Sequence, residues 1–167
     1  MTKKEILDAI HGKMIISCQA VEGEPLYVEE KSIMYLMARA AKQAGTPAIR
    51  TSSIRDVIAI KEETGLPVIG LVKIQYLGYE GYITPTMKEV DDLVAAGSDV
   101  VALDCTLRKR GDGSTVNEFI AQIKEKYPDI ILMADISNYE EGINAWKCGV
   151  DIVGTTMSGY TDYTSKK

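Results

Sequence analysis

Short apolar runs alternate with amphipathic stretches along the whole chain, and most switches between them carry a glycine, a proline or a capping residue. Ile6, Leu7 and Ile10 stand at helical spacing and predict a short helix stopped at His11-Gly12. Met14-Ile15-Ile16 opens a first strand that runs to about Gln19. Residues 22–25 are turn-rich, residues 32–44 read as a helix stopped by Gly45, and Pro47-Ala48-Ile49-Arg50 as a second strand. Ser53 caps a helix through Val57, Ile58 and Ile60 to Gly65, and Val68-Ile69-Gly70-Leu71-Val72-Lys73 follows as a buried strand ending on a charge.

The second half repeats the rhythm. After a long loop rich in Tyr and Gly, Thr86 starts a helix that ends at Gly97, and a fourth strand spans residues 99–104. Residues 114–127 read as a helix, 130–135 as a strand, 138–148 as a helix and 151–154 as a sixth strand. Apolar strands alternating with crossover helices imply a parallel sheet. The stretch Ala96-Gly97-Ser98-Asp99-Val100-Val101 recurs as Cys148-Gly149-Val150-Asp151-Ile152-Val153, which is either a barrel repeat or the glycine stop that many helix-to-strand junctions share. No linker divides the chain, so residues 1–167 read as one domain.

Two architectures accept six parallel strands, a doubly wound open sheet and most of a closed barrel, and the strand ends decide between them. Gln19, Arg50, Lys73, Asp104, Asp135 and Thr155 supply one polar group from each strand. Polar groups gathered from many strands suit a barrel mouth, whereas an open sheet concentrates its site at one switch point. The fold class expected is therefore α/β, a parallel (β/α)8 TIM-type barrel, with about six β/α units present.

Composition then narrows the partners. A formal net charge of -5 leaves no basic surplus for a phosphate backbone, which argues against nucleic acid and leaves small anions open. Cys18, Cys105 and Cys148 are odd in number and lack CxxC spacing, so neither a disulfide framework nor a zinc site is suggested. With no apolar leader at the N-terminus and no apolar run near the ~18 residues of a membrane span, the expectation is a cytoplasmic protein without a membrane partner. There is no P-loop and no GxGxxG opening a helix, and no cofactor or metal is indicated.

Lys73 is the sharpest chemical signal. A lysine after five apolar strand residues would set its stem in a low-dielectric wall, and a cationic neighbour such as Arg50 would favour the neutral amine, a base. The plainer alternative is a lysine snorkelling to solvent. Arg50 could hold a hydroxyl or anionic oxygen, or form a salt bridge with a nearby loop carboxylate. Gln19 and Asp135 could hydrogen-bond a polyol or cap the following helix, and Asp104 shares that ambiguity. The run Arg108-Lys109-Arg110 reads as a solvated loop, and His11, the single histidine, as structural.

Seven segments, in order, carry a resemblance: Ile16-Ser17-Cys18-Gln19-Ala20, Ala48-Ile49-Arg50, Gly70-Leu71-Val72-Lys73, Tyr82-Ile83-Thr84-Pro85-Thr86, Val101-Ala102-Leu103-Asp104, Met133-Ala134-Asp135-Ile136-Ser137 and Gly154-Thr155-Thr156-Met157-Ser158-Gly159-Tyr160-Thr161. The chain resembles the N-acylglucosamine-6-phosphate 2-epimerase family. That resemblance implies C2 epimerisation of N-acylmannosamine 6-phosphate to N-acylglucosamine 6-phosphate in sialic acid catabolism, with Lys73 catalytic and Gln19, Arg50 and Asp135 touching the sugar phosphate. It also implies a second acid/base, a glutamate on a seventh strand, and phosphate-binding loops after strands seven and eight. The sequence stops in the loop after the sixth strand, so the expectation is a barrel domain lacking its last two β/α units. The competing readings are an inactive fragment and a Schiff-base aldolase or lyase using Lys73. A homo-oligomer is left open.

Overall fold

The structure is a computed structural model that describes residues 1–164; the tail Ser165-Lys166-Lys167, read above as part of the last loop, lies outside the described residues. Element order is α1 (Lys3–Ile10), β1 (Ile16–Ser17), α2 (Met34–Gln43), β2 (Ile49–Ser52), α3 (Ile54–Thr64), β3 (Val68–Leu71), α4 (Met87–Ala95), β4 (Val100–Asp104), α5 (Val116–Lys126), β5 (Ile131–Asp135), α6 (Tyr139–Lys147) and β6 (Ile152–Gly154). All six strands are parallel and stand in sequence order, β1-β2-β3-β4-β5-β6. A doubly wound sheet would reverse its order at a switch point, so this topology is that of an incomplete TIM-type barrel. No helix among the described residues is long and apolar enough to cross a membrane.

Curvature follows from one contact. Arg50 on β2 bonds Asp135 on β5 at 2.7 Å, although three strand spacings of a flat sheet would hold those strands about 14 Å apart. The sheet is therefore strongly curled, with side chains of alternating parity facing its two sides. Ile49, Val68, Val101, Leu103, Leu132 and Ala134 meet the helices, while Ile69, Leu71, Val100, Ala102 and Ile131 face the concave interior. Val101 and Ile16 belong to the helix side, whereas Ile69 faces inward. The interior is partly covered. Ile6 of α1 is buried in it, and the Lys3–Asp151 ion pair at 2.7 Å ties that helix to the residue before β6.

Helix starts follow their local chemistry. Thr2, Thr86 and Thr115 each close a capping box with the glutamate three residues on, and Ser53 and Asn138 cap α3 and α6. Strand ends depart more from the sequence pattern. β2 begins two residues later than expected because Pro47 has no N–H for a ladder, and it continues past Arg50. β1 is only two residues long, with Met14 exposed.

The internal repeat builds the same junction twice. Gly97 and Gly149 take left-handed φ of 86° and 79°, and the aspartate two residues on then grips the start of the preceding strand. Asp99 accepts from Val68 N at 2.8 Å and Asp151 from Leu132 N at 3.0 Å, while each donates its own N–H to that residue's carbonyl at 3.0 Å. A shared glycine stop alone would not produce this pairing, which favours a true β/α repeat.

Among the described residues β1 pairs only with β2, and β6 only with β5, leaving two free edges. A 167-residue polypeptide of this sequence is expected to self-associate or aggregate through those edges in size-exclusion chromatography with light scattering. A monomer that melts cooperatively would show that α1 and the loops protect them.

Candidate active site

The same parity that divides the core sets the polar residues. Arg50 lies on the inward side of β2, Asp104 on that of β4, Asp135 on that of β5, and Lys73 two residues beyond the inward Leu71 of β3. Asp104, Asp135 and Lys73 stand at the carboxyl ends of their strands, and Arg50, the second residue of β2, reaches that end through its side chain to Asp135. Gln19, two residues after Ser17, joins them, its amide donating to Ser17 Oγ at 2.7 Å while its carbonyl oxygen is buried without a partner among the described residues. Thr155 does not join: it has the wrong parity and is exposed, and Thr156 takes its place by donating to Asp135 Oδ1 at 2.7 Å.

Two carboxylates sit side by side here, because Asp104 and Asp135 are register partners on neighbouring strands. Each is answered by its own arginine. Arg50 donates to Asp135 at 2.7 Å across the mouth, and Arg108 donates to Asp104 at 2.6 Å from four residues on. Thr106 adds its N–H and hydroxyl to Asp104 at 3.0 and 2.6 Å. Asp135 is 0% exposed, and burial raises its carboxyl above the usual range; Arg50 and Thr156 offset this only in part, and Asp104 adds to the rise. The helix-cap alternatives for Asp135 and Asp104 are overturned, since Asn138 and Thr115 cap the helices that follow.

Lys73 departs from the expected environment. It is exposed, not walled in, and Arg50 is occupied with Asp135. Among the described residues its ammonium has no ion-pair partner. Its backbone leaves the ladder and meets Ile83 in an antiparallel bridge.

The basic run is not a solvated loop. Arg110 is 8% exposed, lies 3.9 Å over the Phe119 ring and donates to Pro85 O at 2.7 Å, fastening the loop after β4 to the loop after β3. Arg108 serves Asp104, so only Lys109 of the three is exposed. The Asp104-to-Arg108 spacing was the available signal for that pair. Glu141 gave none: buried at the start of α6, it collects Ser137 N at 2.7 Å, Tyr163 Oη at 2.5 Å and Leu107 N at 3.4 Å, joining three loops of the mouth. Burial pushes its carboxyl up, but these donors outweigh it and hold the group below the usual range.

Comparison with known proteins decides the family. The family model described as "Putative N-acetylmannosamine-6-phosphate epimerase" matches residues 34–167. The chain belongs to the N-acetylmannosamine-6-phosphate 2-epimerase family. A family member from Caldanaerobacter subterraneus subsp. tengcongensis is 52% identical over 160 residues, covering 96% of this chain and 67% of the relative. One from Clostridioides difficile is 49% identical over 159 residues, covering 95% of this chain and 70% of the relative. The solved N-acetylmannosamine-6-phosphate 2-epimerase from Clostridium perfringens superposes with a TM-score of 0.89 at 48% identity, covering 97% of this chain and 69% of that one. The sequence thus spans about two thirds of its family relatives' length.

Removing one member of the buried pair leaves the other stranded. Arg50→Ala is expected to cost roughly 3 kcal/mol at neutral pH in denaturant melts, with Arg50→Ala/Asp135→Asn recovering much of it. The sign with pH is fixed by the raised Asp135 carboxyl: the single variant should lose least at acid pH, where Asp135 takes a proton, and most above that group's folded pKa. An equal loss at every pH, with no recovery in the double variant, would contradict the pairing.

Proposed function

We propose that this protein interconverts N-acylmannosamine 6-phosphate and N-acylglucosamine 6-phosphate by moving the proton on C2, within a single barrel-type domain. The observation that carries this reading is the meeting of Lys73, Gln19 and the Arg50–Asp135 pair at one end of the sheet, in a chain 52% identical to a relative named for that reaction.

The chemistry asks for these groups. In the ring-opened sugar, C2 lies next to the C1 aldehyde, so loss of its proton gives an enolate whose charge rests on the C1 oxygen. The neutral amine of Lys73 takes the proton, and the electron pair of the C–H bond passes into the C1–C2 bond. Return of a proton to the other face of C2 completes inversion and asks for a second acid. Arg50 keeps guanidinium donors beyond the one given to Asp135, suited to a developing oxyanion, and Asp135 holds that guanidinium in place. The unpartnered carbonyl oxygen of Gln19 accepts from a sugar hydroxyl.

The test is solvent exchange. N-acetylmannosamine 6-phosphate is incubated in deuterated water with this chain, and with a form lengthened to the span of its relatives. Deuterium at C2 of the product is the expected result; none from either form would overturn the proposal. In whichever form is active, Lys73→Ala should lower kcat by about 10²-fold with little change in KM, as for loss of a proton-transfer group. An unchanged kcat would remove Lys73 from the reaction.

A further inference from the structure

Lys73 stands beyond both ladders of its strand. Pairing of β3 with β4 ends at Gly70↔Val101, and pairing with β2 ends at Ser52↔Leu71. Two residues past the last rung, a strand has nothing to keep it extended, and its side chain would lose the inward direction. Here a returning segment, residues 82–84, enters the fork between β3 and β4. Ile83 bridges Lys73 antiparallel, Ile74 N donates to Tyr82 O at 2.9 Å, and Asp104 N donates to Ile83 O at 2.9 Å.

Thr84 sits at the point of the fork. Its N–H donates to Val72 O at 2.7 Å and its hydroxyl accepts from Val72 N at 3.2 Å, so both polar groups of the residue before Lys73 are held by this one residue. The same hydroxyl donates to Ala102 O of β4 at 2.7 Å. A single side chain thus spans the gap where the β3·β4 ladder has opened. It does so at 0% exposure and in a left-handed conformation, φ 47°, that a β-branched residue ahead of a proline rarely adopts. Backbone strain of that kind persists only where surrounding contacts impose it. Pro85, the next residue, has its carbonyl tied down by the buried Arg110.

We infer that Thr84 is a positioning residue for Lys73: its hydroxyl substitutes for the missing rungs and fixes the direction in which the amine enters the mouth. The inference rests on the reading of Lys73 as the proton-transfer base. Thr84 itself touches no reacting atom.

The test compares Thr84→Val, Thr84→Ser and Thr84→Gly. Valine keeps the shape without the hydroxyl, serine keeps the hydroxyl, and glycine removes it while accepting positive φ freely, so a hydroxyl-free fold survives if valine misfolds. Competitive acetylation followed by mass spectrometry reads the pH profile of Lys73 labelling against exposed Lys13, and needs no turnover. Valine and glycine are expected to change Lys73 labelling relative to Lys13 by about three-fold or more, with serine close to the parent. In active protein the hydroxyl-free variants should lower kcat about ten-fold with KM nearly unchanged, and serine should restore it. Parent-like Lys73 labelling without the hydroxyl, or serine as perturbed as valine, overturns the inference. A Lys73→Ala variant with normal kcat would instead overturn the underlying reading, whatever the labelling shows.

Discussion

A one-residue slip in any of the parallel ladders would turn Arg50, Asp104 or Asp135 out of the mouth and into the helix layer, because successive strand residues face opposite sides. The same slip would bring Ile49, Leu103 or Ala134 inward, away from the helices that now bury them. Core packing and site assembly are therefore one constraint. The apolar residues select the register because misplacing them exposes them, and the polar residues at the strand ends are carried to the mouth by that selection. Asp99 and Asp151 reinforce it by gripping the first residues of the strands before them.

Gathering polar groups in this way creates an electrostatic cost that the molecule offsets locally. Two neighbouring aspartates at the end of a buried sheet repel each other and lose hydration. Arg50 and Arg108 approach from opposite sides, one across the concave face and one from the loop after β4, so that neither carboxylate is left alone. Arg50 cannot then also act as a free cation beside Lys73.

Most of the fold was legible because its signals are local. The threonine and serine caps, the glycine stops and the apolar runs each report on a few residues, and all six strands and six helices formed near the places they mark. What escaped depends on residues far apart in sequence. Arg50 and Asp135 were both legible as polar strand ends, but their mutual pairing requires the curl of the sheet. The apolar pattern points to Thr155 where the structure turns Thr156 inward, because parity along β6 is fixed by pairing with β5, and a three-residue strand shows little alternation of its own. The burial of Arg110 hung on an aromatic ring contributed by α5, which a run of charges does not disclose. The unbroken apolar sequence from Val68 to Val72 marks Lys73 as the last rung of a continuous strand, while the ladder ends where β3 and β4 part around Thr84.

That parting connects the fold to the chemistry. A strand that stayed paired to its end would place its last side chain rigidly but would leave no room for a loop to enter the mouth. Here the β3·β4 ladder opens early, and the loop between β3 and α4 re-enters through the gap before turning into the Thr86 cap. Tyr82 is thereby laid against the inner core, and Gly81 passes so close to Asp104 that a Cβ would come within 2.9 Å of its carboxylate. The neighbouring loop is pinned to this one by Arg110, and the next by Glu141. The three loops over β3, β4 and β5 are thus fastened to each other as well as to their own strands. The backbone around Lys73 and the carboxylates opposite it are therefore held by one continuous set of contacts, to which residues outside the mouth, Arg110 and Glu141 among them, contribute.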